Sequence, residues 1–458
     1  VETYKAEMRA LRAHYYFELS RHFNQIVWID ENVPENEYVS IKNNQYSRDE
    51  ILGMIAKEFE EAATVLPDSF KEAGRVNKHV AEAYAAKVYL YKAYRQDATT
   101  HAVTSIDKAD LEKVVSYAEK VINSQNNYAL FPDFQMLDQV AHENGSESIF
   151  AIQYSTNDGA TMSLPWAYCG VGHVNWSALL NTPKGPYGGD DFFKASQDLV
   201  NAFQTGEDGL PLLDGSWQTK DYDTVDEIMD QGTKKYINKN IDGPVDPRID
   251  FIIGRINVRW KTYTEAPVDA LWYRDFNSYG YHFVKRFLVS PDSGDLATTY
   301  PWGNSALNYQ IIRLAHVILW KAEALIQLDR QDEARELINQ IRRRAKNSPY
   351  VTAFVDARFP EAVNVNGYAG NYVINEYPAA GWTKEYALKA LQHETRLECA
   401  LEGERYFDLV RWGILAETMN RYVEVETPKR VYYQGVTFKA GRDEYLPIPL
   451  TQYNLSKG

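Results

Sequence analysis

The strongest constraint on this chain is an apolar rhythm of 3.6 residues that fills roughly its first 125 positions, stops, and returns after about position 310. The first stretch, Glu2 to Phe23, carries Met8, Leu11, Tyr15 and Leu19 on one stripe. After a polar loop around Pro34, Ser47 and Glu50 have the spacing of a capping box that opens a second helix to Leu66, and Pro67 ends it. A third helix places Ala81, Tyr84, Ala85 and Val88 at i, i+3, i+4 and i+7, and a fourth runs from Lys108 to Ile122. The alanines at 81, 83, 85 and 86 let a neighbouring helix approach closely, as stacked helix pairs require. In the second half, Ile311 to Ala322 and Ala334 to Ala345 form a third pair around the turn at Asp329 to Asp332. Lys384 to Gly403 followed by Arg405 to Arg421 gives a fourth, with Gly403 and Gly413 weakening its joint.

Between the two helical halves the composition changes. Residues 140–305 hold 16 of the 26 glycines and six of the ten tryptophans, and no long helical period. A segment this aromatic is not disordered, so it reads as an ordered, loop-rich excursion with short strands at Ser148 to Tyr154 and Tyr281 to Val289. The predicted fold is mainly α, with four degenerate tetratricopeptide-like helix pairs as a scaffold and one large excursion. Its divisions are 1–127 (two helix pairs), 128–305 (aromatic excursion, ligand-binding), 306–424 (two helix pairs) and 425–458 (an extended C-terminal segment packed on the scaffold).

Charge and motif content exclude several functions. With 49 Lys and Arg against 63 Asp and Glu, the net charge of -14 repels a phosphate backbone and argues against nucleic-acid binding. The most apolar run, Ile311 to Trp320, contains Arg313 and His316, so nothing spans a bilayer. Cys169 and Cys399, the only cysteines, provide neither a disulfide framework nor zinc spacing, and read as two buried thiols. The chain opens at Val1 on what reads as helix interior, which predicts a leader and further sequence upstream in the parent protein.

His393 and Glu394 begin an HExxH pattern that fails at Leu397, and Gly170 and Gly172 lack the third glycine of a dinucleotide loop. Asp221, Asp223 and Asp226 lack the turn glycine of a calcium loop and read as a solvated acidic loop. No metal and no cofactor is expected. Asp190 and Asp191, adjacent in a Gly-rich loop, are the one carboxylate pair that a helical glycoside hydrolase could use; shaping a turn or accepting hydrogen bonds is the preferred role. From His393 to Gly413, acidic residues alternate with arginines around a stripe of Leu397, Ala400, Leu401, Phe407 and Leu409. That pattern predicts an ion-pair lattice locking the last helices together.

Six tracts in order resemble one family. They are EMRALRAHYYFELSRHFNQIVWI at the start, GRVNKHVAEAYAAKVYLY from Gly74 to Tyr91, and Asp246 to Arg248 as a DPR turn. IRLAHVILWKAEAL with INQIRRRA follows, then RLECALEGERYFDLVRWG, and finally YLPIPLTQYNLS from Tyr445 to Ser456. Together they are similar to the SusD/RagB family of glycan-binding outer-membrane lipoproteins of Bacteroidetes-type bacteria. The resemblance implies a surface protein that captures oligosaccharide or polysaccharide and delivers it to a TonB-dependent transporter of the SusC type, without catalysis. It also implies a membrane attachment through a lipid anchor on a cysteine that this chain does not contain. Peptide or other nutrient binding on the same architecture is the alternative within the family.

Sugar capture needs aromatic faces rimmed by amides or charged groups. The expected platforms are Trp166, Trp176, Trp217, Trp272, Tyr273 and Trp302, with Tyr300 and Asn304 beside the last. Trp302 is the first choice, because Pro301 and Gly303 would present it on a loop. Trp320 and Trp412, on helices, are assigned to core.

Overall fold

A computed structural model gives the architecture. It describes residues 1–455 except 157, 159–161, 165–166, 170–172, 176–181, 186, 231–232, 261–271, 274–279, 281, 298–302 and 355–362. Only backbone is described for 162–164, 167–169, 229–230, 233–235 and 363–366.

Four helices build the first half: α1 (Glu2–His22), α2 (Arg48–Val65), α3 (Lys78–Ala93) and α4 (Lys108–Ile122). The capping box that opens α2 forms as the sequence predicts, with Ser47 N donating to Glu50 at 2.7 Å and Glu50 N to Ser47 Oγ at 3.3 Å. Helix α3 lies between α2 and α4, and its alanines at 81, 83, 85 and 86 are fully buried, which permits that close approach. Helix α1 departs from the simple reading. Its stripe of Met8, Tyr15 and Leu19 is exposed, while Ala6, Ala10, Ala13 and Phe17 face the core. The alanine face is the one that can nest against α2, and close packing outweighs the larger apolar area of the other stripe.

After the short helices α5 (Gln197–Ala202) and α6 (Arg248–Ile252), the second half holds α7 (Leu314–Gln327), α8 (Gln331–Asn347), α9 (Lys384–Glu398), α10 (Arg405–Arg411), α11 (Leu415–Glu426) and the terminal α12 (Leu450–Leu455). Helix α7 packs on α3 and α4 as well as on α8 and α9, so it joins the two halves across one apolar core. The single helix predicted from Arg405 to Arg421 is broken at Trp412 to Ile414. Gly413 there has φ +72, and a Cβ on it would stand 2.9 Å from Val103 Cγ2.

The excursion leaves and re-enters the scaffold through one two-stranded antiparallel ladder. Strand Ser148–Ile152 pairs with Tyr309–Arg313, with Ile152 opposite Tyr309 and Ser148 opposite Arg313. Of the other predicted strand, only Phe283–Val284 forms. A hairpin absent from the sequence expectations, Thr224–Asp230 with Thr233–Lys239, occupies the supposed acidic loop.

The ion-pair lattice predicted for the last helices is present, and it is wider than predicted. Arg313, with no exposed side chain, donates to Glu398 at 2.7 Å, Glu147 at 2.8 Å and Glu402 at 2.8 Å. Arg286 reaches Glu402 at 2.8 Å and also pairs with Asp138. Arg248, from the DPR turn, holds Asp246 at 2.7 Å and Glu394 at 2.6 Å, and Arg342 holds the other oxygen of Glu394 at 2.9 Å. The lattice therefore fastens the excursion to α8 and α9. Burying so many charges is tolerable because each of these carboxylates finds a guanidinium.

Candidate functional site

Four of the eight expected ligand-binding residues, Trp166, Trp176, Tyr300 and Trp302, lie outside the described residues. The other four are interior. Trp272 and Tyr273 are 5% and 7% exposed and pack with Tyr187, Trp260 and Phe283 in an aromatic core under the excursion. Trp217, 7% exposed, belongs to the core around α5 and α6 and carries the Arg396 guanidinium over its ring at 4.8 Å. Asn304 is fully buried. In these four the aromatic and amide groups are spent on packing, so none offers an open face to a ligand in this conformation.

Among the described residues of the excursion, the exposed aromatic ring is a different one, Phe193. Gly189 lets the loop before α5 fold back on itself, since a Cβ there would lie 1.8 Å from Thr182 Oγ1. The turn is pinned by Gly189 N to Pro183 O at 3.0 Å and Asp191 N to Thr182 O at 2.9 Å. Asp191 and Phe193 both take positive φ, +60 and +55. Lys194 then turns inward, 2.7 Å from Asp191 Oδ1 and over the Phe283 ring at 4.0 Å, while Phe193 is left 70% exposed. A large aromatic side chain in the left-handed region and facing water is costly twice over, and such strain concentrates at ligand sites. Asp191, fully interior and paired with Lys194, serves the turn and is closed to substrate.

Next along the chain Ser196 caps α5, accepting from Leu199 N at 3.1 Å, and lies near Tyr422 of α11. Tyr422 and Tyr433 share a hydroxyl contact of 2.9 Å, and the Tyr432 ring, 56% exposed, lies 4.6 Å from that of Tyr433. Burial pushes the Tyr432 phenol up to about 12, so its hydroxyl stays protonated and able to donate at neutral pH. Phe193 and this tyrosine group are candidate ring faces that stand outside the sequence expectations, which rest mainly on tryptophans. The Gly-Gly-Asp-Asp run before Phe193 was the available signal.

A second surface is a polar cleft of about 340 Å³ on the other side of the ladder, between the loop that joins α2 to α3 and the strand Ser148–Ile152. Its walls bring together Phe70, Arg75, Asn126, Tyr128, Asn144 and Ser146. Arg75 already covers one face of Phe70 at 3.8 Å and pairs with Glu7 at 2.6 Å, and Asn144 is bonded both ways to Gln153. The cleft thus presents amides and hydroxyls with little free aromatic area.

The acidic residues once weighed for calcium have cations or donors of their own. Asp221 holds Lys429 at 2.8 Å, Asp223 is buried against Arg255 at 3.0 Å and His282, and Asp226 pairs with Lys239. Among the described residues, His316, Cys399 and Glu402 place three possible metal donors within 4.8 Å of one another. The set does not fit a cation. Burial acts upward on the Glu402 carboxyl, yet Arg313 and Arg286 hold it well below the usual range, so its charge is already compensated, and Arg313 Nη2 reaches both Glu402 at 2.8 Å and Cys399 Sγ at 3.9 Å. Cys399 is a free thiol, pushed up by burial. Among the described residues no helix is long and apolar enough to cross a membrane.

A SusD-like protein of Formosa agariphila is 24% identical over 427 residues, spanning 91% of this chain and 67% of its own. A laminarin-binding SusD-like protein has a structure similar to this one with TM-score 0.58 and 24% identity, over 98% of this chain and 76% of that one. A SusD homologue of Bacteroides thetaiotaomicron has TM-score 0.65 and 19% identity, over 99% and 77%. The sequence model of the SusD family matches residues 146–458, most of the excursion and all of the second helical half, and on that match the chain belongs to the SusD family.

Proposed function

We propose that this chain binds oligosaccharide or polysaccharide at the cell surface and passes it to a partner TonB-dependent outer-membrane transporter of the SusC type, without cleaving it. The observation that carries this reading is the family match over the excursion and second helical half, joined to a fold shared along 98% of the chain with a laminarin-binding relative. The protein is held at the outer membrane by a lipid anchor. Sugar rings are taken on aromatic faces of the excursion, with Trp302 the leading platform and Phe193 and Tyr432 as exposed rings beyond it.

The energetics suit capture and release. An aromatic ring offers roughly 150 to 250 Å², and covering about a third of it at ~25 cal/mol per Å² contributes about 1 to 2 kcal/mol. Two or three such contacts give about 2 to 6 kcal/mol, which does not by itself exceed the cost of association, so hydrogen bonds from the rim must add to them and the binding is weak.

Affinity electrophoresis through gels carrying a panel of polysaccharides, laminarin included, tests the reading. Retardation on at least one glycan, with no reducing ends released on prolonged incubation, is the expected result. Free migration on every glycan would remove the sugar assignment, and unchanged retardation of Trp302→Ala would remove that residue alone.

A further inference from the structure

A pocket of about 360 Å³ opens at the joint between α9 and α10, walled by Leu199, Cys399, Ala400, Leu401, Arg405 and Tyr406. It shares no lining residue with the polar cleft. Its floor and sides are largely apolar, and one charged group in it is out of balance. The partly buried Arg405 guanidinium makes a single hydrogen bond, from Nη1 to the Gln392 carbonyl at 3.3 Å, lies 5.6 Å from the centre of the Trp412 ring, and has no carboxylate within ion-pair distance among the described residues. The six fully buried arginines among the described residues, at 248, 255, 286, 313, 342 and 411, each face at least one carboxylate.

The carboxylates nearest this pocket each hold another cation, and Asp408 and Asp198 act on Arg405 only from beyond ion-pair distance. Asp408 takes Arg411 at 2.9 Å, Glu404 takes Arg21 at 2.7 Å and Lys87 at 3.0 Å, and Asp198 takes Arg396. Arg396 is a second cation in the same wall. The lining thus sets Arg396 and Arg405 beside Glu404 and Asp408, and of these four Arg405 is the one without an ion pair among the described residues. His393 registers the two cations, its imidazole pushed down to about 3 by burial and by the charges of Arg396 and Arg405. The backbone beside the pocket is also strained, with Leu401 at φ +66. An unpaired guanidinium against an apolar wall is costly when empty and is relieved by an anion brought in with its own apolar surface.

We propose that this pocket binds a small ligand bearing one carboxylate on an apolar or ring-shaped body. The carboxylate pairs with Arg405, and the body lies against Leu199, Ala400, Leu401 and the Tyr406 ring. This site goes beyond glycan capture and does not depend on it.

The test is calorimetric titration and thermal melting of the full chain with benzoate and with glucuronate, each set against its neutral counterpart, benzyl alcohol or glucose. At least one acid is expected to bind tenfold or more tightly than its neutral counterpart and to raise the melting temperature. Arg405→Met is expected to lose that binding at least tenfold while melting, without ligand, at or above the parent temperature. Benzoate binding alone identifies an apolar acid, and glucuronate binding alone an acidic sugar. The proposal is overturned if neither acid binds, if binding survives in Arg405→Met, or if that variant melts lower or fails to fold, since the guanidinium would then be structural.

Discussion

Arg248 and Glu394 meet at 2.6 Å with neither side chain exposed, and this one contact ties the DPR turn of the excursion to helix α9. Arg342 shares the same carboxylate from α8, so Glu394 is the point where three separated tracts converge.

Glu394→Gln should therefore cost far more than a surface pair. It leaves two guanidiniums buried with reduced compensation, for which about 3 to 5 kcal/mol of destabilisation is expected. Urea unfolding of the variant beside Lys389→Gln, whose exposed partner Glu385 lies at 3.1 Å, provides the comparison. The exposed variant is expected to lose less than about 1 kcal/mol. Equal midpoints for the two would show that the lattice does not hold the excursion.

Acid should dismantle the same lattice through Glu398. Burial acts upward on its carboxyl, but Arg344, Arg313 and Arg248 outweigh it and bring it down to about 2. A depressed folded value means that the carboxylate contributes stability above the unfolded value near 4.5, and that this contribution is lost as pH falls toward 2. Unfolding midpoints measured from pH 6 to pH 3 should fall steeply, and the slope should be shallower in Glu398→Gln. A slope unaltered by that substitution would place the acid sensitivity elsewhere.

Glu143 should act with the opposite sign. Burial, aided by Asp295, pushes its carboxyl up to about 7, although Asn308 N donates to it at 2.6 Å. A raised folded value favours the protonated form, so its contribution is full below the unfolded value near 4.5 and is lost as pH rises toward 7. Glu143→Gln should accordingly melt higher than the parent at pH 8 and show little difference near pH 4.5. A variant that is destabilised at pH 8 would show the ionised carboxylate to be the stabilising form.

The helix pairs were legible because their signals are local: the period of the apolar residues, the Ser47 and Glu50 cap, and the alanine face of α3 all act within a few turns. The lattice was legible only in part. Alternating charge from His393 to Gly413 announced that arginines must interleave, but its partners Arg248, Glu147 and Asp138 lie over a hundred positions away, and no local spacing names them. The binding surface was least legible. A Trp in a Gly-rich tract looks the same whether it fills a core, as Trp272 does beside Trp260, or faces solvent. Exposure is decided by which neighbour turns inward, as Lys194 does beside Phe193, and that depends on partners such as Phe283.

Phe193 and Trp272 separate these two roles by experiment. Trp272 is a core ring, 4.9 Å from Trp260 and edge-on to it, so Trp272→Ala should destabilise the chain by about 3 to 5 kcal/mol and disturb any binding indirectly. Phe193 packs little and is held at φ +55, so Phe193→Ala gives up little contact in the folded state, and its unfolding midpoint should stay within about 0.5 kcal/mol of the parent. If the exposed ring carries a sugar face worth about 1 to 2 kcal/mol, glycan affinity should fall by roughly 5- to 30-fold in Phe193→Ala at unchanged stability. Affinity electrophoresis on whichever glycan retards the parent, read together with urea unfolding, measures both quantities. Full retardation of Phe193→Ala would take this ring out of the site and leave its strained, exposed conformation without a binding role.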